Sequence, residues 1–282
     1  MVTPVIFIGL FHKSIMNLLQ IAAQMRLTLC DVSNKTKTPH LGSCLSCIDI
    51  LTSLYWHALN IDPLQPKLAT RDYFLLGKGH AASALYTTLA YRGFFKKDAL
   101  YEHGQTGSQF EEHPGINGPS GIESVSGSLG HALSLATGMA LSAQIQNKSN
   151  RFYVLMGDGE INEGTVWEAA MFAAGKKLNN LVAIVDFNKL QGTGESCDIM
   201  HLEPLEEKWR AFGWHTIRLD GHDINALNAA FEEAQKQSQP VCIIADTIKG
   251  KGISFMENDN NWHYRIPKTE EVERAKEELG LQ

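Results

Sequence analysis

Short apolar runs constrain this chain more than any other feature. They lie within "YFLL", "RFYVLMGDG", "LVAIVDFN", "WHTIRLDG" and "VCIIADTIKGKG". Most are apolar at nearly every position, as strands buried on both faces are, and do not alternate. Between them lie stretches with helical apolar spacing, such as "GSLGHALSLATGMALSAQI", "TVWEAAMFAAGKK" and "INALNAAFEEAQKQ". Strands alternating with helices predict an α/β fold: a single doubly wound, mainly parallel sheet with helices on both faces. No repeat, low-complexity tract or Pro/Ser-rich linker interrupts the pattern. One domain is therefore expected over residues 1–282, with 1–37 a helical lead-in and 256–282 a C-terminal extension.

Sheets of this kind bind ligands in the crevice outside the carboxyl ends of their strands. Gly77–His80, Gly157–Gly159 and Asp186–Asn188 all fall at such ends, so one crevice could collect them. Asp158 sits between two glycines that let the backbone turn sharply and approach a ligand closely. Asn188 follows the next apolar run, thirty residues later. If the two runs are neighbouring parallel strands, carboxylate and amide stand side by side. With a backbone carbonyl they would suit a hard divalent cation, which in turn commonly takes phosphate oxygens from a ligand. Glycine-rich helix starts offer N–H groups to the same anion. A plainer reading makes Asp158 a helix cap and Asn188 a turn residue.

A formal net charge of −6 supplies no basic footprint, so neither nucleic acid nor an anionic membrane is expected as a partner. The opening "MVTPVIFIGLF" is too short to span a bilayer and has no basic flank of a secretory leader. A buried strand, a docking segment or a misassigned start is expected there, and a cytoplasmic location for the protein. Five scattered cysteines argue against a disulfide framework. Cys44 and Cys47 form a CxxC without the second pair a zinc site would want. They read as reduced packing thiols on an amphipathic helix, "CLSCIDILTSLYW".

The segment "GDGEINEG…VDFN" resembles the thiamine diphosphate motif, GDG followed by roughly thirty residues and Asn. "HLGSCLS", "GKGH", "HPGINGPSGIESVSGSLG", "GWHTIRLDGHD" and "IKGKGISF…WH" resemble transketolase more specifically, in family order, from about Thr38 to Pro267. The resemblance implies a thiamine diphosphate-binding fold that holds the cofactor's diphosphate through Mg2+ or Ca2+. It implies that Asp158, the Asn188 side chain and the Leu190 carbonyl ligate the metal, and that Gly159 lies against the diphosphate. His80 and His263 would contact the diphosphate end. Gly127, Ser128 and Leu129 would hold the aminopyrimidine, and Glu163 would join a carboxylate network linking two active sites. His40, His113 and His263 would face a sugar or sugar phosphate. Ketol transfer moves protons on and off hydroxyls, which suits groups that titrate near neutrality, as imidazole does. His12, His57 and His215 lie outside the matched motifs and receive no role.

In the family a glutamate on a separate pyrimidine-binding domain protonates the aminopyrimidine, and no second doubly wound unit fits after Pro267. The expectation is the amino-terminal subunit of a split transketolase. A separate carboxy-terminal chain would supply the pyrimidine domain, and two copies of each would form a heterotetramer. Several positions depart from the family pattern. Ser128 stands where proline is usual, Glu111 and Glu112 precede His113, no arginine occurs between Tyr101 and His113, and Tyr264–Arg265 follow His263. These departures point to an unusual sugar. Other readings are the alpha subunit of a 2-oxoacid dehydrogenase, a nucleotide-binding oxidoreductase through "GKGHAA", and a non-enzymatic relic.

Overall fold

The computed structural model describes the backbone of residues 5–281 and side chains from residue 17 to 281. The apolar opening therefore lies outside the described side chains. From Val5 its backbone is helical, so the buried-strand reading of that segment gives way to a long helix α1 (Val5–Thr36). Leu18, Ala22, Met25, Leu29 and Val32 recur at three- and four-residue spacing along α1 and are buried. The helix ends where Lys37 turns left-handed, at φ 62°.

The five apolar runs form the strands β1 (Tyr73–Leu76), β2 (Phe152–Gly157), β3 (Leu181–Phe187), β4 (His215–Asp220) and β5 (Val241–Asp246). They make one sheet in the order β1-β2-β3-β5-β4. Every pairing is parallel. The side-chain alternation of a strand divides the core in two. Tyr153, Leu155, Val182, Ile184 and Ile243 face one cluster, which includes Met25 and Leu29 of α1 and Leu85 of α4 (Ala82–Arg92). Phe152, Val154, Ala183, Val185 and Ile244 face the other, built on α5 (His131–Ile145) and α6 (Gly164–Gly175). Helices thus cover both faces, as expected of a doubly wound sheet. The edge strand β4 is only half-buried, which explains its more polar composition.

One local expectation changes. "CLSCIDILTSLYW" is not one amphipathic helix. It breaks at Cys47 between α2 (Leu41–Ser46) and α3 (Ile48–Ser53), and residues 41–55 are buried all round. Cys44 and Cys47 are free and fully buried. Burial pushes the Cys44 thiol up to about 11, consistent with an inert packing role.

Arg26 of α1 donates to the buried Asp49 of α3 at 2.5 Å. Burial alone would raise the Asp49 carboxyl, but the Arg26 charge and a hydrogen bond from His222 more than offset it and hold the group below its ordinary range. Its stabilisation is therefore complete above the unfolded carboxylate pKa of about 4 and is lost as pH falls through the lower folded value. Denaturant titrations from pH 6 downward should show wild type losing stability more steeply than Asp49→Asn, which lacks this ionisation. Parallel curves would contradict the assignment.

Candidate functional site

The register of the sheet sets the site. Gly157 pairs with Asp186, so Asp158 and Asn188 emerge from adjacent strand ends. A cavity of about 180 Å³ opens there, lined by Lys78, His80, Leu129, Asp158, Asn188 and His263 among others. The three turns anticipated from the strand ends do converge. Asp158 is 3% exposed. Its Oδ1 accepts the Gly159 N–H at 2.9 Å and its Oδ2 accepts the Ser196 hydroxyl at 2.8 Å. Burial raises its carboxyl, against the Ser196 bond. Asn188 Oδ1 accepts the Leu190 N–H at 3.0 Å, and the Leu190 carbonyl accepts from Lys249 Nζ at 3.3 Å. Gly159 approaches the wall so closely that a Cβ there would meet the Gln191 side chain at 3.1 Å.

His40, His80 and His263 form a triangle, with ring centroids 5.3 Å, 4.9 Å and 5.5 Å apart. His40 is left-handed at φ 69°, held by its N–H to the His263 carbonyl at 2.9 Å. A non-glycine residue in this region costs about 1–3 kcal/mol unless its surroundings fix it, and such residues gather at functional sites. Tyr264, 64% exposed, stands edge-on to His263 at 4.7 Å. His113 lies against the Gly127 backbone, about 3.6 Å from where a Cβ would sit. The expectation of an imidazole poised near neutrality is not met at His263. Burial, then Lys249 and His40, pushes His263 down to about 3. Burial, then His113, lowers His40. His80 lies well below its usual range through burial and the neighbouring Lys78.

Other expected residues stand outside the cavity. Ser128 is exposed and its hydroxyl lies 3.2 Å from His131 Nδ1. Gly127 is exposed beside His113, and only Leu129 of that trio lines the cavity. Glu163 is exposed at the start of α6, packed against Gly130.

Sequence reasoning passed over four residues that shape the pocket. Lys78 is 1% exposed. It pairs with the fully buried Asp186, which also accepts hydroxyls from Ser46 at 2.6 Å and from Thr247. Burial would strip the Lys78 proton, but Asp186 holds its pKa up. The "GKGHAA" segment is thus a tight turn anchored by a buried ion pair. Lys249 is fully buried behind the cavity wall and donates to Asn260 Oδ1 at 2.7 Å. Burial and then Lys78 push it down to about 8. Glu160 accepts the N–H groups of Gly130 and Gly157 at 3.0 and 3.3 Å. Its carboxylate fills the space a Cβ on Gly77 would need, and burial raises it to about 7. Gln191 lines the cavity with its Nε2 buried and unpartnered. "GKGH" and "IKGKG" held the signal for the lysines: a cation beside glycine directly after a buried strand.

The donor set suits a metal-bound diphosphate. Asp158, Asn188 and Leu190 offer hard oxygens. Lys249 adds positive charge, while that of Lys78 is matched by Asp186. The buried, unpartnered Gln191 Nε2 and His40 Nδ1 leave polar groups for a ligand or water to satisfy.

A parallel sheet with a carboxylate, an amide and a backbone carbonyl at adjacent strand ends suits a ligand held through a divalent cation. Residues 18–282 match the family described as "Transketolase, thiamine diphosphate binding domain". The chain is 40% identical over 256 residues to one of the subunits of the apulose-4-phosphate transketolase of Phocaeicola vulgatus, covering 90% of this chain and 91% of that protein. It is 42% identical over 251 residues to the 6-deoxy-6-sulfo-D-fructose transketolase subunit SqwG of Clostridium sp., covering 89% and 90%. The crystal structure of Campylobacter jejuni transketolase superposes with a TM-score of 0.88 at 30% identity, over 94% of this chain and 43% of that one. The chain belongs to the transketolase family. Among the described residues no helix is long and apolar enough to cross a membrane.

Proposed function

We propose that this chain is the amino-terminal, diphosphate-binding subunit of a two-chain transketolase. The enzyme would transfer a two-carbon ketol unit from a ketose to an aldose. The observation that carries this reading is the convergence, in one cavity, of Asp158, Asn188 and Leu190 with His80 and His263. In this reading Asp158, Asn188 and the Leu190 carbonyl hold Mg2+ or Ca2+. Lys78, Lys249, His80 and His263 face the diphosphate, and Gly159 lets it approach. The backbone at Gly127–Leu129 borders the aminopyrimidine. Thiamine diphosphate, when bound, supplies the electron sink for the two-carbon carbanion. His40, His113 and His263 orient the sugar hydroxyls. The lowered pKa values leave His40 and His263 unprotonated at neutral pH. His40 starts as a proton acceptor for the donor hydroxyl, and the proton taken up is then available to the acceptor alkoxide, while His263, held at about 3, accepts hydrogen bonds from the sugar.

A companion chain with a pyrimidine-binding domain completes the site. Two of the relatives carry the word subunit in their names and match this chain over about nine-tenths of their length. Leu135 on α5 and Met171 and Phe172 on α6 are 46%, 55% and 46% exposed. These apolar side chains and the exposed Glu163 suit a contact with a second copy, within an assembly of two copies of each chain. The substrate is a sugar other than the ordinary pentose phosphates. Glu112 bears electrostatically on His40, and the Tyr264 ring borders both His40 and His263. Purified alone, the chain is expected to show no ketol transfer. Mixing it with the carboxy-terminal chain should restore transfer, measured by product sugar over a panel of ketose donors. Turnover by the isolated chain would refute the two-chain arrangement.

A further inference from the structure

The "DGHD" turn and the "IKGKG" turn meet in a buried polar cluster outside the cavity. Its centre is one oxygen. Asp49 Oδ2 accepts from Arg26 Nη2 at 2.5 Å and lies 2.8 Å from His222 Nδ1. The other nitrogen of His222, Nε2, accepts the Ile248 N–H at 2.8 Å. An imidazole that accepts at Nε2 carries its proton on Nδ1, where it donates to Asp49. Arg26 makes a second contact: its Nε donates to the Lys251 carbonyl at 2.9 Å. The turn from Ile248 to Lys251 is therefore held at both ends, by its first N–H and its last carbonyl, and both holds run to the same carboxylate. Lys249 lies between them. Further bonds complete the seating, with Gly250 N–H donating to the Gly42 carbonyl at 3.0 Å and Asn258 N–H to the Lys249 carbonyl at 2.9 Å. The buried Lys249 ammonium donates to the carbonyls of Leu190 and Gln191, at 3.3 and 3.5 Å, two residues that line the cavity.

We propose that His222 is a positioning residue: through the Ile248 N–H, braced by Asp49 and Arg26, it fixes the turn that aims Lys249 at the bound diphosphate. The inference rests on the reading of Lys249 as a diphosphate contact and adds a device that sets its aim. A long, flexible lysine stem gains from such bracing, because ordering it on binding would otherwise cost affinity.

Two substitutions separate the bonds His222 makes. In His222→Gln the amide oxygen can still accept the Ile248 N–H. In His222→Asn the shorter amide can reach only toward Asp49. Thiamine diphosphate affinity is measured by calorimetric titration, in magnesium, on the reconstituted two-chain complex, below each variant's melting temperature. Lys249→Met is expected to weaken binding about 10- to 100-fold, the size of a charge-assisted hydrogen bond. His222→Asn is expected to weaken it about tenfold, as loss of an outer-shell partner does. His222→Gln should recover most of that loss. In the Lys249→Met background His222→Asn should add nothing, since the side chain it aims is gone. If His222→Asn unfolds, Arg26→Lys carries the same expectation, keeping the charge beside Asp49 and losing the Lys251 carbonyl. Multiplying losses in the double variant, or unchanged affinity in His222→Asn beside a weakened Lys249→Met, would overturn the positioning role alone. Unchanged affinity in Lys249→Met would overturn the diphosphate reading and the positioning role with it.

Discussion

Asp158→Ala is expected to abolish metal-dependent binding of thiamine diphosphate while leaving the chain folded. The carboxylate is the only anionic group among the three proposed metal ligands, and it sits at the end of β2, level with the end of β3. Removing an outer-shell partner of a metal costs about 10–100-fold in affinity, so loss of a direct anionic ligand should exceed that. The fold should tolerate the change. The groups left behind, the Ser196 hydroxyl and the Gly159 N–H, lose an acceptor at a cost of about 1–3 kcal/mol each at most. Calorimetry with and without magnesium, on the reconstituted complex, reads the first effect, and a thermal melt reads the second. Binding that survives the substitution would remove Asp158 from the ligand set.

Lys78→Met should be the most destabilising single change near the site. It leaves Asp186, fully buried, without its counter-charge. Breaking a buried pair from one side costs about 3–5 kcal/mol, because an uncompensated charge stays in the interior. The double variant Lys78→Met/Asp186→Leu should recover part of this, since two apolar side chains can replace a buried pair at little net cost. Recovery stays partial because the hydroxyls of Ser46 and Thr247 lose the oxygens they donate to. Equilibrium denaturation checks both. A cost for Lys78→Met below about 1 kcal/mol, the scale of an exposed pair, would mean that the pair is solvated.

The fold was legible because doubly buried strands leave an unbroken apolar signature, and β2, β3 and β5 carry it in full. The meeting of Asp158 with Asn188 was legible for the same reason: consecutive parallel strands of similar length end at one level. What escaped notice was charge that the interior hides. Lys78 and Lys249 each stand beside glycine, and a lysine there reads as solvated. Only the packing of α2 over the strand ends buries them, and that packing joins segments far apart in sequence. Glu160 escaped for a related reason, since its partners Gly130 and Gly157 are silent glycines. The histidine cluster was placed from motifs, yet its proton affinities depend on burial and on the two lysines. The all-round burial of α2 and α3 was likewise invisible, because their alternating small and apolar residues imitate an amphipathic helix.

The ion pair between Lys78 and Asp186 also bears on the order of events in the cell. The floor of the pocket is electrically balanced before any anion arrives, so maturation of the polypeptide need not wait for a vitamin. On that expectation an empty socket could be synthesised and kept in advance. Coenzyme supply would then govern how many copies work, not how many exist.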